Sequence, residues 1–251
     1  MTYRPNDTYY NLCKEVLDQN YQENYQGYIC IDDDDYEIPN YDREIPIIKI
    51  RKEECEDAGF KNTVTCCKDI ACSRDKALYY FCKIEKEYDY IWFLEEDVFI
   101  PSKTTIPYLD NKYKGDLITS SHDIMETNTY PWYFTRRTFD EYKEIFEPPY
   151  MKSMICAIRV SRKMMDVIEE YADFYNTLHF CETIFNTLAL KNDLTVVCPP
   201  ELSTIVYRKD WKLNQINRHF LYHPIKDMNI QSEYRAYIRN IQKSETLKNP
   251  P

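Results

Sequence analysis

The sequence predicts an α/β fold with a largely parallel central sheet. Three observations carry that reading. Short apolar runs of strand length alternate with longer segments of helical periodicity. The run Tyr90-Ile91-Trp92-Phe93-Leu94 passes directly into Glu95-Glu96-Asp97 and then returns to apolar residues at Val98-Phe99-Ile100. Glycine occurs only at Gly27, Gly59 and Gly115.

The elements follow in order. Tyr28–Ile31 is a short apolar strand, and Asp32-Asp33-Asp34-Asp35 follows it. Ile45–Ile50 forms a second strand. Asp69–Glu87 has helical spacing, with Ile70, Ala77, Leu78, Phe81 and Ile84 near one face and Asp75 in an early turn. Tyr90–Leu94 is the acid-tipped strand. Asp116–Thr119 is a strand introduced by Gly115, and Met154–Val160 alternates as a strand does. Ser161 caps a helix over Arg162–Tyr175. A further helix covers His179–Lys191, where Phe180, Ile184, Phe185 and Leu188 recur. Thr195–Cys198 is a strand stopped by Pro199-Pro200, and Asn229–Ile241 is a final amphipathic helix. We expect one domain over residues 1–242 and a flexible tail over 243–251.

Composition excludes several classes. The 251 residues are 43% hydrophobic, enough for a sizeable core. Three glycines cannot build a Gly-rich phosphate loop or a dinucleotide fingerprint. A bound phosphate must then be held another way, most simply through a metal. A net charge of -10 disfavours nucleic acid, whose backbone calls for a basic face. No apolar stretch is long enough to span a membrane, and the N-terminal residues lack the apolar core of a secretory signal. The ten cysteines follow no disulfide or zinc spacing, so free thiols in a reducing, cytoplasmic compartment are expected. The Lys-, Asn-, Ile- and Tyr-rich, Gly-poor composition suits an AT-biased genome such as that of a large DNA virus, and the compartment would then be the host cytoplasm.

Three constellations carry chemistry. Carboxylates at the end of a buried strand need a cation or a cleft edge, and strand ends are where α/β sheets bind ligands. In an extended segment Glu95 and Asp97 point the same way and Glu96 points away. Oxygen ligands of this kind suit Mg²⁺ or Mn²⁺ bridging to a diphosphate; a solvated acidic turn is the alternative. The second constellation is His179-Phe180-Cys181-Glu182-Thr183, where a single acid opens an apolar helix. Glu182 is either a carboxylate favoured by the helix dipole or a general base. The third is Asn217–Asp227, which holds His219 and His223, two of the four histidines, beside Arg218 and Lys226. A neutral His223 imidazole supplies a nitrogen ligand, and Lys226 a point charge for phosphate. A polar surface loop is the alternative there.

Together these blocks, from about Tyr28 to Asp227, resemble the GT-A-fold glycosyltransferases, nearer to the branching and small viral-type transferases than to the large synthases. In that superfamily a helix precedes a strand ending in an Asp-x-Asp-type metal motif, matched here by Asp75–Phe81 and Tyr88–Ile100. Phe180-Cys181-Glu182-Thr183 is placed like the family's catalytic-base segment, and His223–Asp227 like its C-terminal metal and diphosphate histidine. The resemblance implies a single GT-A (Rossmann-like) domain and transfer of a sugar from a UDP- or GDP-sugar to a glycan or other hydroxyl acceptor. Mn²⁺ or Mg²⁺ would be held by Asp97, Glu95 and His223, and inversion would proceed with Glu182 as base. Glu95 stands where the family has aspartate, so metal binding carries over first to Asp97. The resemblance also places Asp32, Asp33 and Asp34 at the base and ribose, with Glu95, Glu96 and Lys226 at the donor. Trp132, Tyr133, Phe134 and Trp211 are candidates for stacking on the acceptor, with ordinary core or rim packing the alternative for each. Two other classes share these carboxylates: a metal-dependent phosphodiesterase or nuclease, and a non-catalytic nucleotide-sugar-binding protein.

Overall fold

A computed structural model describes residues 1–17, 25–38, 45–62, 71–125 and 140–248, with the backbone alone described over 243–248. In chain order the elements are α1 (Asp7–Leu17), β1 (Ile29–Cys30), β2 (Ile47–Ile48), α2 (Lys52–Asp57), α3 (Ser73–Tyr79), β3 (Tyr90–Leu94), α4 (Thr105–Lys112), β4 (Leu117–Ile118), β5 (Asp123–Ile124), β6 (Met151–Lys152), β7 (Ala157–Ser161), α5 (Arg162–Tyr175), α6 (Cys181–Lys191), β8 (Val196–Val197) and α7 (Met228–Lys248). The fold is therefore mixed α/β. No helix among the described residues is long and apolar enough to cross a membrane.

The central sheet corrects the expectation of mostly parallel pairing. Its order is β3-β7-β4-β8. β7 is antiparallel to both β3 and β4, and only β4 and β8 pair in parallel. The alternation of Met154–Val160 marks a strand but carries no direction. The chain enters β7 from the end where β3 and β4 finish, and so runs against them. β1 and β2 form a separate parallel pair, and β5 and β6 an antiparallel one. One consequence positions the site. The C-terminal ends of β3, β4 and β8 and the N-terminal end of β7 all lie along one edge of the sheet.

Both faces of the sheet are covered. Phe93, Ile158 and Val160 pack with Met164, Met165 and Ile168 of α5 and Ile184, Phe185 and Leu188 of α6. On the other face Leu94, Ala157 and Ile118 pack with Ile106 and Leu109 of α4. Burying each such side chain contributes about 1.5–3 kcal/mol, which fixes the register of β3 against β7 from Tyr90↔Ser161 to Leu94↔Ala157. Ser161 caps α5 as expected, its hydroxyl accepting from the Met164 N–H at 3.1 Å. Gly59 adopts φ +79, and a Cβ there would meet the Ala172 carbonyl at 2.5 Å, so the chain turns against α5 only with glycine.

Several boundaries shift. α3 begins at Ser73, where the Cys72 N–H donates to Asp75 Oδ2 at 2.8 Å, and continues as a π-helical turn over Tyr80–Ile84. Residues 69 and 70 of the expected helix lie outside the described residues. α6 starts at Cys181 rather than His179, whose φ of 51 is incompatible with a right-handed helix. The last helix is longer than expected and runs through the segment assigned to a frayed tail, as far as Lys248. The eight described cysteines are all free.

Candidate metal centre

β3 delivers the acidic triplet to the sheet edge, and β7 and a C-terminal loop close around it. The ladder continues one step beyond β3, where the Glu95 N–H donates to the Cys156 carbonyl at 2.9 Å. The triplet is not the extended segment expected: the chain turns at Glu96-Asp97, with Val98 N–H donating to the Glu95 carbonyl at 3.0 Å. Phe99 pairs antiparallel with Tyr222, and the Ile225 N–H donates to the Asp97 carbonyl at 2.8 Å. These backbone bonds seat His223 against the turn although 126 positions separate it from Asp97 in the sequence.

His223 is oriented on both sides. Its Nδ1 lies 2.7 Å from the Val206 carbonyl. A carbonyl only accepts, so Nδ1 carries the proton and donates. The other ring nitrogen, Nε2, then faces Asp97 Oδ1 at 3.3 Å and Glu95 Oε2 at 3.9 Å. The ring is buried, with 7% of its side chain exposed. A buried imidazole fixed by one backbone bond, with its second nitrogen turned toward carboxylates, is the usual arrangement of a metal-ligating histidine. Glu95 divides its oxygens: Oε1 pairs with Arg74 Nη2 from α3, which leaves Oε2 for His223. Glu95, Cys156 and His223 each present one donor atom, all within 4.8 Å of one another, a set able to hold a metal ion.

Glu182 opens α6 on the neighbouring side. The Ser153 N–H donates to its carbonyl at 2.8 Å, and the adjacent Cys181 Sγ accepts from Arg74 Nη1 at 3.0 Å. Burial pushes the Glu182 carboxyl above its ordinary pKa, opposed by the charges of Arg74, Lys152 and His223. The N-cap of α6 is Phe180, and Glu182 is the acidic residue of its first turn.

The structure brings Glu95, Asp97 and His223 together and places Glu182 within electrostatic reach of His223. The other expected residues are spread out. Glu96 turns away, its carboxylate accepting from the Thr2 hydroxyl, while its carbonyl accepts from Gln231 Nε2 at 3.1 Å. Asp33 accepts from the Asp35 N–H at 3.0 Å and pairs with Arg4, and both interactions hold its carboxyl below the usual range. Asp34 pairs with the fully buried Lys76 and accepts the Lys52 N–H at 3.0 Å. Asp32 Oδ1 lies 3.3 Å from Lys52 Nζ, without hydrogen-bond geometry. Lys226 is exposed beside Ile225. Trp211 does not present a stacking face: it is 7% exposed, packs with Phe99, Tyr222 and Ile225, and donates to the His223 carbonyl at 3.0 Å. Trp132, Tyr133 and Phe134 lie outside the described residues. Sequence reasoning missed Arg74 and Cys156. Arg74 could have been noticed as a cation in the helix preceding the acidic strand. Cys156 carries no local signal, because only the register of β7 sets it beside Glu95.

No protein-family model matches this chain, and a comparison with curated proteins finds no significant match.

Proposed function

We propose that this protein is a metal-dependent glycosyltransferase that moves a sugar from a nucleoside-diphosphate sugar to a hydroxyl acceptor. The observation that carries the reading is the convergence of Glu95 and Asp97, from the turn after β3, on Nε2 of a backbone-tethered His223. A carboxylate of raised proton affinity, Glu182, stands close by. Glu95, Asp97 and His223 offer the oxygen and nitrogen donors that a divalent cation takes. When bound there, such a cation supplies charge stabilisation for a departing diphosphate.

The chain's own residues divide the remaining work. Arg74 neutralises Glu95 and limits the negative charge that a diphosphate would meet. Glu182 accepts the proton of the acceptor hydroxyl as that oxygen attacks the anomeric carbon, and the nucleoside diphosphate leaves with the electrons of the broken bond. Attack on the face opposite the leaving group inverts the configuration. The Asp32–Asp34 loop is joined to the same centre through α3: Lys76 binds the Asp32 carbonyl at 2.6 Å, and Arg74, two residues earlier, binds Glu95. That shared helix supports a reading in which the nucleotide lies between the Asp32–Asp34 loop and Asp97.

The test is a transfer assay with donor binding measured separately. Glu182→Gln retains metal-dependent donor binding and loses transfer by a factor on the order of 10²–10⁴, the usual contribution of general-base catalysis. Full transfer activity in Glu182→Gln overturns the base assignment.

A further inference from the structure

We propose that the Cys156 thiolate is a ligand of this centre, and that the site accordingly takes Zn²⁺ in preference to Mg²⁺. The inference rests on the reading of Glu95, Asp97 and His223 as metal ligands and goes beyond it in naming a sulfur donor and the ion it selects.

The placement follows from the sheet. Leu94 is opposite Ala157, and the next step of the ladder sets Glu95 opposite Cys156 through the 2.9 Å bond between the Glu95 N–H and the Cys156 carbonyl. Directly opposed residues of an antiparallel pair project to the same face with Cβ atoms about 4.5–5.5 Å apart. The side chains therefore share a face by register, and the Glu95, Cys156 and His223 donor atoms lie within 4.8 Å of one another. Tetrahedral coordination at metal–ligand distances of about 2.0–2.3 Å needs donors about 3.3–3.8 Å apart. A closure of roughly an ångström, within reach of side-chain rotation, completes the set.

The thiol sits at the margin of the apolar cluster of Val98, Ile118 and Ala157. Cys156 is 6% exposed, and among the described residues its sulfur makes no hydrogen bond. His223 Nε2 is a second, independent pointer to an ion, since it is buried and turned toward acceptors while its partner nitrogen is spent on Val206. The three grouped donors are one oxygen, one nitrogen and one sulfur, and Asp97 Oδ1 lies 3.3 Å from the nitrogen. Mg²⁺ demands near-octahedral oxygen coordination and keeps its waters. Zn²⁺ accepts four mixed N, O and S donors and lies above Mn²⁺ in intrinsic affinity.

The experiment uses the full chain stripped of metal with a chelator and titrated with Co²⁺ as an optical stand-in for Zn²⁺. The expected result is a sulfur-to-cobalt charge-transfer band in the near ultraviolet that saturates at one ion per chain and is displaced by equimolar Zn²⁺ but not by Mg²⁺. Cys156→Ser loses the band and weakens Zn²⁺ binding at least about 10-fold, the smallest effect typical even of outer-sphere partners. Cys198→Ser, at an exposed position, keeps the band. X-ray absorption of the Zn²⁺-loaded wild-type protein shows a sulfur scatterer at about 2.3 Å and needs no variant, so a misfolded Cys156→Ser does not remove the test. Co²⁺ bound without the band, a band unchanged in folded Cys156→Ser, or zinc with no sulfur neighbour overturns the cysteine ligand and leaves the Glu95–Asp97–His223 reading standing. Failure to bind Co²⁺ or Zn²⁺ at all overturns both.

Discussion

Asp97, Glu95 and Glu96 are neighbours in sequence, yet their surroundings give them different work. The β3 ladder ends at Glu95 and a turn carries Glu96 and Asp97, so Asp97 and Glu95 meet His223 while Glu96 meets Thr2. Asp97→Ala should abolish cation-dependent donor binding, whereas Glu96→Gln should change it less than about 3-fold; calorimetric titration of the nucleotide with and without cation distinguishes them. Glu182 makes a pH prediction. Its carboxyl is pushed up by burial, and the base must be ionised to act. Transfer should therefore fall as pH drops through a pKa above the ordinary glutamate value of about 4.3. Glu182→Gln should flatten that acid limb, and a limb persisting unchanged in the residual activity would assign it to another group. His179 affects stability rather than catalysis. Its ring is buried against the Tyr171 hydroxyl at 2.7 Å, and burial lowers its pKa to about 4 from the ordinary value of 6.5. A depressed folded pKa means that its contribution is present above pH 6.5 and is lost as pH falls toward 4. The loss should be on the order of 3 kcal/mol. Urea denaturation of the wild type and His179→Gln across that range should give curves that converge at low pH.

At the scale of elements, the helix ends and the loop–helix ion pairs hold the site edge in place. Ser161 ends β7 and begins α5, accepting from Met164 N–H while donating to Asp116 Oδ1 at 2.9 Å. Ser161→Ala should cost about 1–2 kcal/mol, seen as a lower denaturation midpoint with an unchanged slope. The Asp32–Asp34 loop is tied to α3 by Lys76, whose side chain is fully buried. Asp34→Ala leaves that ammonium with the Asp32 carbonyl as its remaining bonded partner among the described residues. The expected cost is roughly 2–4 kcal/mol, toward the low side for a buried pair because Asp34 is itself 30% exposed. A loss below about 1 kcal/mol would show that Lys76 finds another acceptor.

At the scale of the molecule, the elements that sequence patterning exposed were those whose signal is local. The apolar run of β3, the alternation of β7, the Ser161 cap and the periodicity of α5 and α6 all sit within windows of a few residues. Strand direction does not, and so β7 entered the sheet reversed against the expectation. The site divides in the same way. Glu95 and Asp97 were legible because acids closing a short apolar run stand out locally, although β3 is an edge strand in which only Phe93 is buried rather than the buried strand expected. His223 was legible through its rarity in the chain and the resemblance of its segment. Cys156 and Arg74 join the centre only through sheet register and helix placement, contacts that no short window contains. Of the two readings open for Trp211, acceptor stacking and ordinary core packing, the cluster of Phe99, Tyr222 and Ile225 that buries it selects the second.

The most direct test of the central claim is the melting temperature of the chelator-stripped protein with UDP- and GDP-sugars, each with and without Mn²⁺ or Zn²⁺, in wild type and Asp97→Ala. A ligand that binds only the folded state at about 100 times its Kd stabilises by about 2.7 kcal/mol, or several degrees for a chain of this size. We predict such a rise for at least one nucleotide sugar in wild type, only when the cation is present, and its absence in Asp97→Ala. No cation-dependent rise with any nucleotide sugar, or the same rise in Asp97→Ala, would contradict the account.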